Sequence, residues 1–166
     1  MSDVTQPRFS ETRLAEIATL VKRYPSAKSA LMPVLYMAQE DFGYLNMTTQ
    51  EMVAETLGLR IMEVREVVTF YTMFKEKAHG KYLLEVCTNA SCMLNGADEL
   101  YAHMKETLGI GPGETTEDGL FSIAEVECAG ACAGAPVVQV NYRYHEKATA
   151  ESMDALITKV RAGEAI

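Results

Sequence analysis

Four cysteines, all in the second half of the chain, are the residues whose type and spacing best suit chemistry. They form two pairs, C-x4-C and C-x3-C, and 35 residues separate the pairs: Cys87, Cys92, Cys128 and Cys132. The second pair lies in ECAGACAGAPVVQV, where small residues surround the thiols and a proline leads into an apolar run. In a chain without a secretion signal, such pairs indicate metal or redox chemistry more than a disulfide framework.

Four kinds of site remain open for these thiols. Structural zinc accepts four thiolates at tetrahedral geometry, and the spacing allows it. A 2Fe-2S cluster also takes four thiolates and distributes them over two irons, which suits two separate pairs. A thioredoxin-type dithiol requires C-x-x-C, which the sequence lacks. Two disulfides suit a reducing compartment poorly.

The composition of the second cysteine loop favours the iron-sulfur cluster over zinc. A 2Fe-2S cluster held by four thiolates is an anion that gains another negative charge on reduction, so it needs backbone N–H donors nearby. The loop residues leave the peptide groups uncovered because their side chains are minimal: Ala129, Gly130, Ala131, Ala133 and Gly134. A helix that begins near Cys92 would direct its N-terminal dipole at the same charge. Asn89 and Ser91 are candidates either for hydrogen bonds to the sulfurs or for capping this helix.

The first half of the chain is predicted to be helical. Apolar residues recur at helical spacing in four segments: 10–24, 30–42, 48–58 and 61–74. A strand remains possible for the last segment, because it is rich in β-branched residues. Ser10 is a suitable N-cap for the first segment and Thr48 for the third. The first segment predicts a buried stripe that includes Leu14 and Ile17, and the four helices together indicate a bundle.

The character of the sequence changes at KEKAHGK, which is predicted to separate a domain of residues 1–78 from one of residues 79–166. The second domain contains a strand in KYLLEVCT, a helix over 91–109, a strand in LFSIAEVEC, a strand in PVVQVNY with a short hairpin partner, and a last helix that opens at Thr149. A crossover helix makes the first two strands parallel. The predicted fold class is therefore α+β, an N-terminal helical bundle followed by a thioredoxin-like α/β domain. All four cysteines then lie where strands end, on one side of the sheet.

Composition and charge limit the function further. A net charge of -8 with no local cluster of Lys or Arg disfavours nucleic-acid binding. Charges interrupt every apolar stretch well before the roughly 20 residues of a membrane span. The start, MSDVTQPRFSETR, resembles neither a secretory signal nor a transit peptide, so we expect a cytoplasmic protein. The glycines of GIGPG follow a predicted helix rather than a strand, so the dinucleotide fingerprint is not met.

A resemblance to a known family is carried by the segments CTNASC and ECAGACAGAPVVQVN. They resemble the thioredoxin-like 2Fe-2S ferredoxins, in particular the 24 kDa (E) subunits of respiratory NADH:quinone oxidoreductase, complex I. Four more segments match that pattern in order: ALMPVLYMAQEDFGYL, VVTFYTMF, GETTEDGLFSIAEVEC and TAESMDALITKV. The resemblance implies that Cys87, Cys92, Cys128 and Cys132 ligate one low-potential 2Fe-2S cluster, called N1a in complex I, with one pair on each iron. It implies an electron-transfer subunit of an NADH dehydrogenase that has no catalytic residue for hydride transfer.

The same resemblance implies partners and a location. FMN and NADH are expected only on a partner, the NADH-binding flavoprotein (F) subunit, and the chain is expected to join the rest of the complex I peripheral arm. The cluster is expected to exchange an electron with that flavin, off the main path to quinone. The chain would be peripheral on the cytoplasmic side of the bacterial inner membrane. The alternatives are the equivalent diaphorase subunit of an NAD-linked hydrogenase or formate dehydrogenase, and a free ferredoxin.

Overall fold

The computed structural model describes residues 7–164. Residues 1–6, which open the predicted first domain and the segment considered for a targeting signal, and residues 165–166 lie outside the described residues. Residues 7–164 contain seven α-helices and a four-stranded mixed sheet, which confirms the α+β class. The chain divides into two compact units between Ala78 and His79. In the described part, none of the helices has both the length and the apolar character needed to cross a membrane.

Four helices form the first unit: α1 (Glu11–Val21), α2 (Leu31–Phe42), α3 (Met47–Leu57) and α4 (Ile61–Phe70). Ser10 caps α1, as predicted, by accepting a hydrogen bond from the N–H of Arg13. The buried faces of the helices share one apolar core, in which Leu35, Val53 and Val64 are fully buried. The last segment is therefore a helix, because burial of its β-branched residues in this core outweighs their preference for strands.

Local details of this unit differ from the sequence predictions at two points. Asn46, rather than Thr48, caps α3, because its Oδ1 accepts a hydrogen bond of 2.9 Å from the N–H of Thr49. Asparagine is at least as good an N-cap as threonine, and here it stands two residues earlier. In α1, Ile17 is buried but Leu14 is 43% exposed. The buried stripe of α1 is therefore narrower than the periodicity predicts.

The second unit is a sheet with helices on one face. Its strands are β1 (Tyr82–Cys87), β2 (Phe121–Val126), β3 (Val138–Val140) and β4 (Arg143–His145), in the spatial order β2-β1-β3-β4. Its helices are α5 (Ala90–Leu94), α6 (Ala97–Leu108) and α7 (Ala150–Arg161). As the crossover predicts, β1 and β2 are parallel, whereas β3 is antiparallel to both β1 and β4. The core lies between the sheet and the two longer helices, with Leu84, Met104 and Ile157 at its centre.

The helix predicted over 91–109 is two helices. Gly96, between α5 and α6, has a φ of 88°, a left-handed conformation that glycine adopts without steric cost. The chain therefore changes direction there. The periodicity in the longer part is nevertheless correct, since Leu100, Met104 and Leu108 of α6 are buried.

The strand directions bring two loops together. Because β1 and β2 are parallel, their carboxyl ends lie at the same edge of the sheet. The antiparallel strand β3 begins at this edge, where the N–H of Cys87 donates to the carbonyl oxygen of Val137 at 3.1 Å. The loops after β1 and β2 thus emerge side by side, which is the arrangement predicted for the cysteines.

Gly80 lies where the chain enters β1 and passes against the main chain of β2. A Cβ at this position would lie 2.6 Å from the carbonyl carbon of Phe121, closer than real Cβ contacts. Gly80→Ala is therefore expected to displace the start of the parallel pairing and to lower the free energy of unfolding by about 1–3 kcal/mol. Urea denaturation of both proteins measures this loss.

Gly111→Ala is the matched control for this substitution. Its Cβ would meet only the carboxylate end of the flexible Glu114 side chain, at 3.2 Å or more. We expect little change in its unfolding midpoint. Equal losses of stability in the two variants would contradict the importance of the close approach at Gly80.

Candidate functional site

The four cysteines lie at the edge of the sheet where β1 and β2 end. Cys87 is the last residue of β1, and Cys92 lies in α5. The predicted second strand reached Cys128, but β2 ends at Val126, so this cysteine lies in the loop. Cys132 opens a short 3-10 turn before β3. The structure therefore places all four thiols on the predicted side of the sheet.

The thiols contact one another. Cys87 Sγ accepts hydrogen bonds from the thiols of Cys92 and Cys128. Cys92 lies close enough to Cys132 for the charge of one to affect the other. All four are free thiols, and among residues 7–164 no group of three or more His, Cys, Asp and Glu side chains is arranged to hold a metal ion. Metal binding would replace the hydrogen bonds between the thiols, because ligating thiols lose their protons.

The two pairs differ in their exposure to solvent. Cys87 and Cys92 are only 3% and 2% exposed, and they pack in a small apolar cluster with Ala97 and Val137. Cys128 and Cys132 are exposed. The candidate site therefore has an apolar inner half and an open outer half.

Backbone N–H groups of the second loop point at the sulfurs. The N–H of Ala129 donates to Cys87 Sγ with an N···S distance of 3.4 Å, and the N–H of Gly130 donates to Cys128 Sγ at 3.3 Å. Small side chains leave these peptide groups free to approach, as the composition of the loop predicts. The loop thus brings donors to sulfurs of both pairs.

Burial and hydrogen bonding act in opposite directions on the inner pair. Burial raises the pKa of Cys87, but the N–H groups of Ala129 and Asn89 and the neighbouring thiols together outweigh it, so that the pKa is below its ordinary value. The pKa of Cys92 is raised, by burial and by the hydrogen bond to Cys87, although the N–H of Val137 opposes this. Cys87 is therefore the first thiol of this pair to lose its proton.

Two side chains hold the second loop in place. Asn89 Nδ2 donates to the carbonyl oxygen of Glu127 at 2.8 Å, while its Oδ1 accepts from the N–H of Ala90 and caps α5. Of the two roles considered for the Asn89 side chain, capping is the observed one. Tyr144 of β4 donates its hydroxyl to the carbonyl oxygen of Ala129 at 2.8 Å. The sequence analysis missed Tyr144, since no local pattern connects a hairpin tyrosine with a loop 15 residues earlier.

The donor set suits an anionic iron-sulfur group. Four thiols can act as ligands once they are deprotonated, and the N–H groups beside them can stabilise negative charge on sulfur. The exposed outer pair leaves the site open on one side. These are the chemical requirements of a 2Fe-2S cluster that exchanges electrons.

Comparison with known proteins shows the family. Residues 17–161 match the family model described as thioredoxin-like 2Fe-2S ferredoxin. The E-type subunit 2 of NADH-quinone oxidoreductase from Rhizobium meliloti is 44% identical over 155 residues, which cover 93% of this chain and 92% of that protein. The E-type subunit of NADH-quinone oxidoreductase from Rickettsia bellii is 42% identical over 161 residues, which cover 95% of this chain and 96% of that protein.

A solved structure shares the fold. The crystal structure of an NAD+-reducing NiFe hydrogenase in the air-oxidised state matches with a TM-score of 0.70 and 24% sequence identity. The match covers 81% of this chain and 23% of the hydrogenase chain, so this chain spans about a quarter of that one. The likeness concerns the fold alone.

The sheet with paired thiols at the end of its parallel strands defines a protein of the thioredoxin-like ferredoxin class. The chain belongs to the thioredoxin-like 2Fe-2S ferredoxin family, among the E-type subunits of NADH-quinone oxidoreductases. The resemblance recognised from the two cysteine segments is thereby confirmed. Membership of the family implies a 2Fe-2S cluster.

Asn89→Asp tests the connection between the two cysteine loops. The aspartate keeps an oxygen that can cap α5 but lacks the N–H that reaches Glu127. Loss of this hydrogen bond, about 1 kcal/mol, should loosen the second loop. We expect the amide hydrogens of Ala129 and Gly130 to exchange with solvent about fivefold faster, as measured by hydrogen exchange on the full chain.

Asn95→Asp is the control for this experiment. Asn95 Nδ2 donates to the carbonyl oxygen of Ser91 at 2.7 Å, so the variant loses a comparable bond that does not reach the second loop. Exchange at Ala129 and Gly130 should then match the parent protein. If Asn89→Asp also left this exchange unchanged, Asn89 would not hold the loop.

Proposed function

We propose that this chain is the electron-transfer subunit of an NADH-quinone oxidoreductase and holds one 2Fe-2S cluster on Cys87, Cys92, Cys128 and Cys132. The main support is that the two cysteine pairs meet, beside N–H donors, at one end of the sheet. Relatives that are 42% and 44% identical over most of their length carry the name of that subunit. When bound, a 2Fe-2S cluster supplies one-electron chemistry.

The residues around the thiols have separate tasks in this function. The apolar cluster around Cys87 and Cys92 excludes water from the inner half of the site. The N–H groups of Ala129 and Gly130 stabilise negative charge on the sulfurs and so favour reduction. The exposed outer pair faces solvent, which gives a redox partner access to the site.

Hydride chemistry belongs to a partner in this proposal. We place FMN and NADH on the NADH-binding flavoprotein (F) subunit, with electron exchange between that FMN and the N1a-type cluster held here. In this chain the glycine loop after α6 serves the sheet, because the N–H of Gly113 donates to the carbonyl oxygen of Ile123 at 2.8 Å. A dinucleotide loop would instead connect a strand to a helix N-terminus. Assembly with the peripheral arm would hold the chain on the cytoplasmic side of the inner membrane.

Cys132→Ser tests the assignment of the ligands. A serine oxygen is a poorer ligand for iron than a thiolate, so the purified variant should hold less iron and sulfide or show an altered spectrum. The parent chain should contain two irons and two sulfides and give an EPR signal of one spin when reduced. Iron analysis, sulfide analysis and EPR measure these quantities.

Ala131→Ser is the matched control, because it adds a hydroxyl to the same loop and retains all four thiols. Its iron content and EPR signal should equal those of the parent chain. Unchanged iron and spectrum in Cys132→Ser would remove Cys132 from the ligand set. A colourless parent chain that holds one zinc would contradict the proposed cluster.

The choice of complex is tested by purifying the full chain, with an affinity tag, from membranes of its own cells. We expect an NADH-oxidising flavoprotein with FMN and quinone-reducing membrane subunits to be recovered with it. Recovery with a hydrogenase or formate dehydrogenase catalytic subunit would assign the chain to a different complex. Recovery of the chain alone would favour a free ferredoxin.

A further inference from the structure

We infer that Tyr144 is a positioning residue that raises the reduction potential of the proposed cluster through the peptide group between Ala129 and Gly130. The inference rests on the proposed function. Its basis is a pair of connected hydrogen bonds. The Tyr144 hydroxyl donates to the carbonyl oxygen of Ala129 at 2.8 Å, and the N–H of Gly130 donates to Cys128 Sγ at 3.3 Å. The carbonyl of residue 129 and the N–H of residue 130 belong to the same amide, so one peptide group carries both bonds.

The two bonds strengthen each other. An amide whose oxygen accepts a hydrogen bond is polarised, and its N–H becomes a better donor. The Tyr144 hydroxyl thus increases the positive charge that faces Cys128 Sγ. Hydrogen bonds to ligand sulfurs stabilise the negative charge added on reduction, and residues behind the ligands tune this effect. Removing the hydroxyl should therefore make reduction less favourable.

The backbone of the loop is shaped to present this peptide. Gly130 has a φ of 75°, and no atom other than its immediate neighbours would lie within 4 Å of an added Cβ. Glycine is therefore favoured here for its left-handed conformation rather than for lack of space. That conformation turns the N–H of Gly130 back to Cys128, two residues earlier.

Tyr144 is held by a rigid element that also contacts the loop. It pairs with Gln139 across the β3–β4 hairpin. Just after β4, the N–H of Lys147 donates to the carbonyl oxygen of Gly134 at 2.6 Å. Two bonds, one from a side chain and one from the main chain, thus join this part of the chain to the second cysteine loop. The Tyr144 side chain is 52% exposed, so water can partly replace its hydroxyl, and the effect should fall on the potential rather than on cluster content.

The first test is Tyr144→Phe in the full chain purified with its cluster. We expect two irons per chain, as in the parent, and a lower midpoint potential in a redox titration followed by EPR. Tyr82→Phe is the matched control, because it removes a phenol hydroxyl at the opposite end of β1 from Cys87. Its potential should equal that of the parent. An unchanged potential in Tyr144→Phe with the cluster bound would overturn the inference.

A second variant separates tuning from support of the loop. Replacing Tyr144 with 3-fluorotyrosine keeps the ring and gives a more acidic hydroxyl, which is a stronger hydrogen-bond donor near neutral pH. The midpoint potential should then rise above that of the parent, whereas a purely structural role would leave it unchanged. If Tyr144→Phe lost its iron, this variant alone would decide the inference. If the parent chain itself held no iron and sulfide, the proposed function would fail and the inference with it.

Discussion

Hydrogen bonds from main-chain N–H groups to thiol sulfur determine how the cysteine end of the second unit is built. Such bonds require peptide groups that no side chain covers, which explains the alanines and glycines around Cys128 and Cys132. A bare loop has little packing of its own, so its shape must come from outside. The strand β1, the side chain of Asn89 and the hydroxyl of Tyr144 supply that support. Rigid strands and an exposed small-residue loop are therefore parts of one solution.

The same interaction offsets an electrostatic cost. A chain with a net charge of -8 opposes the addition of further negative charge, but solvent and salt screen most of this repulsion over long distances. The N–H groups of Ala129 and Gly130 act at 3.4 and 3.3 Å from sulfur, where screening is weak. Local dipoles can therefore favour an anionic site in a protein whose overall charge disfavours it.

The sequence predicts the parts of the fold that depend on local periodicity and on chain topology. Helical spacing locates the four helices of the first unit, and the handedness of crossovers predicts the parallel pairing of β1 and β2 that brings the cysteines to one edge. The break at Gly96 is missed because one glycine in a helical pattern is compatible with both a continuous and a broken helix. The hydrogen bond of Tyr144 is missed for a different reason. It depends on the tertiary placement of a hairpin beside a loop, for which no periodic signal exists.

Loading of a metal group must follow the folding of the second unit, because the two dithiols are far apart in the chain until β2 pairs with β1. Closing such a loop with a parallel pair is slow compared with forming α6 or α7. A nascent or unfolded chain therefore presents two separate chelating segments rather than one acceptor of four thiols. Cellular machinery that delivers iron and sulfide would have to recognise the folded sheet edge, after synthesis has passed Cys132 and the strand that follows it.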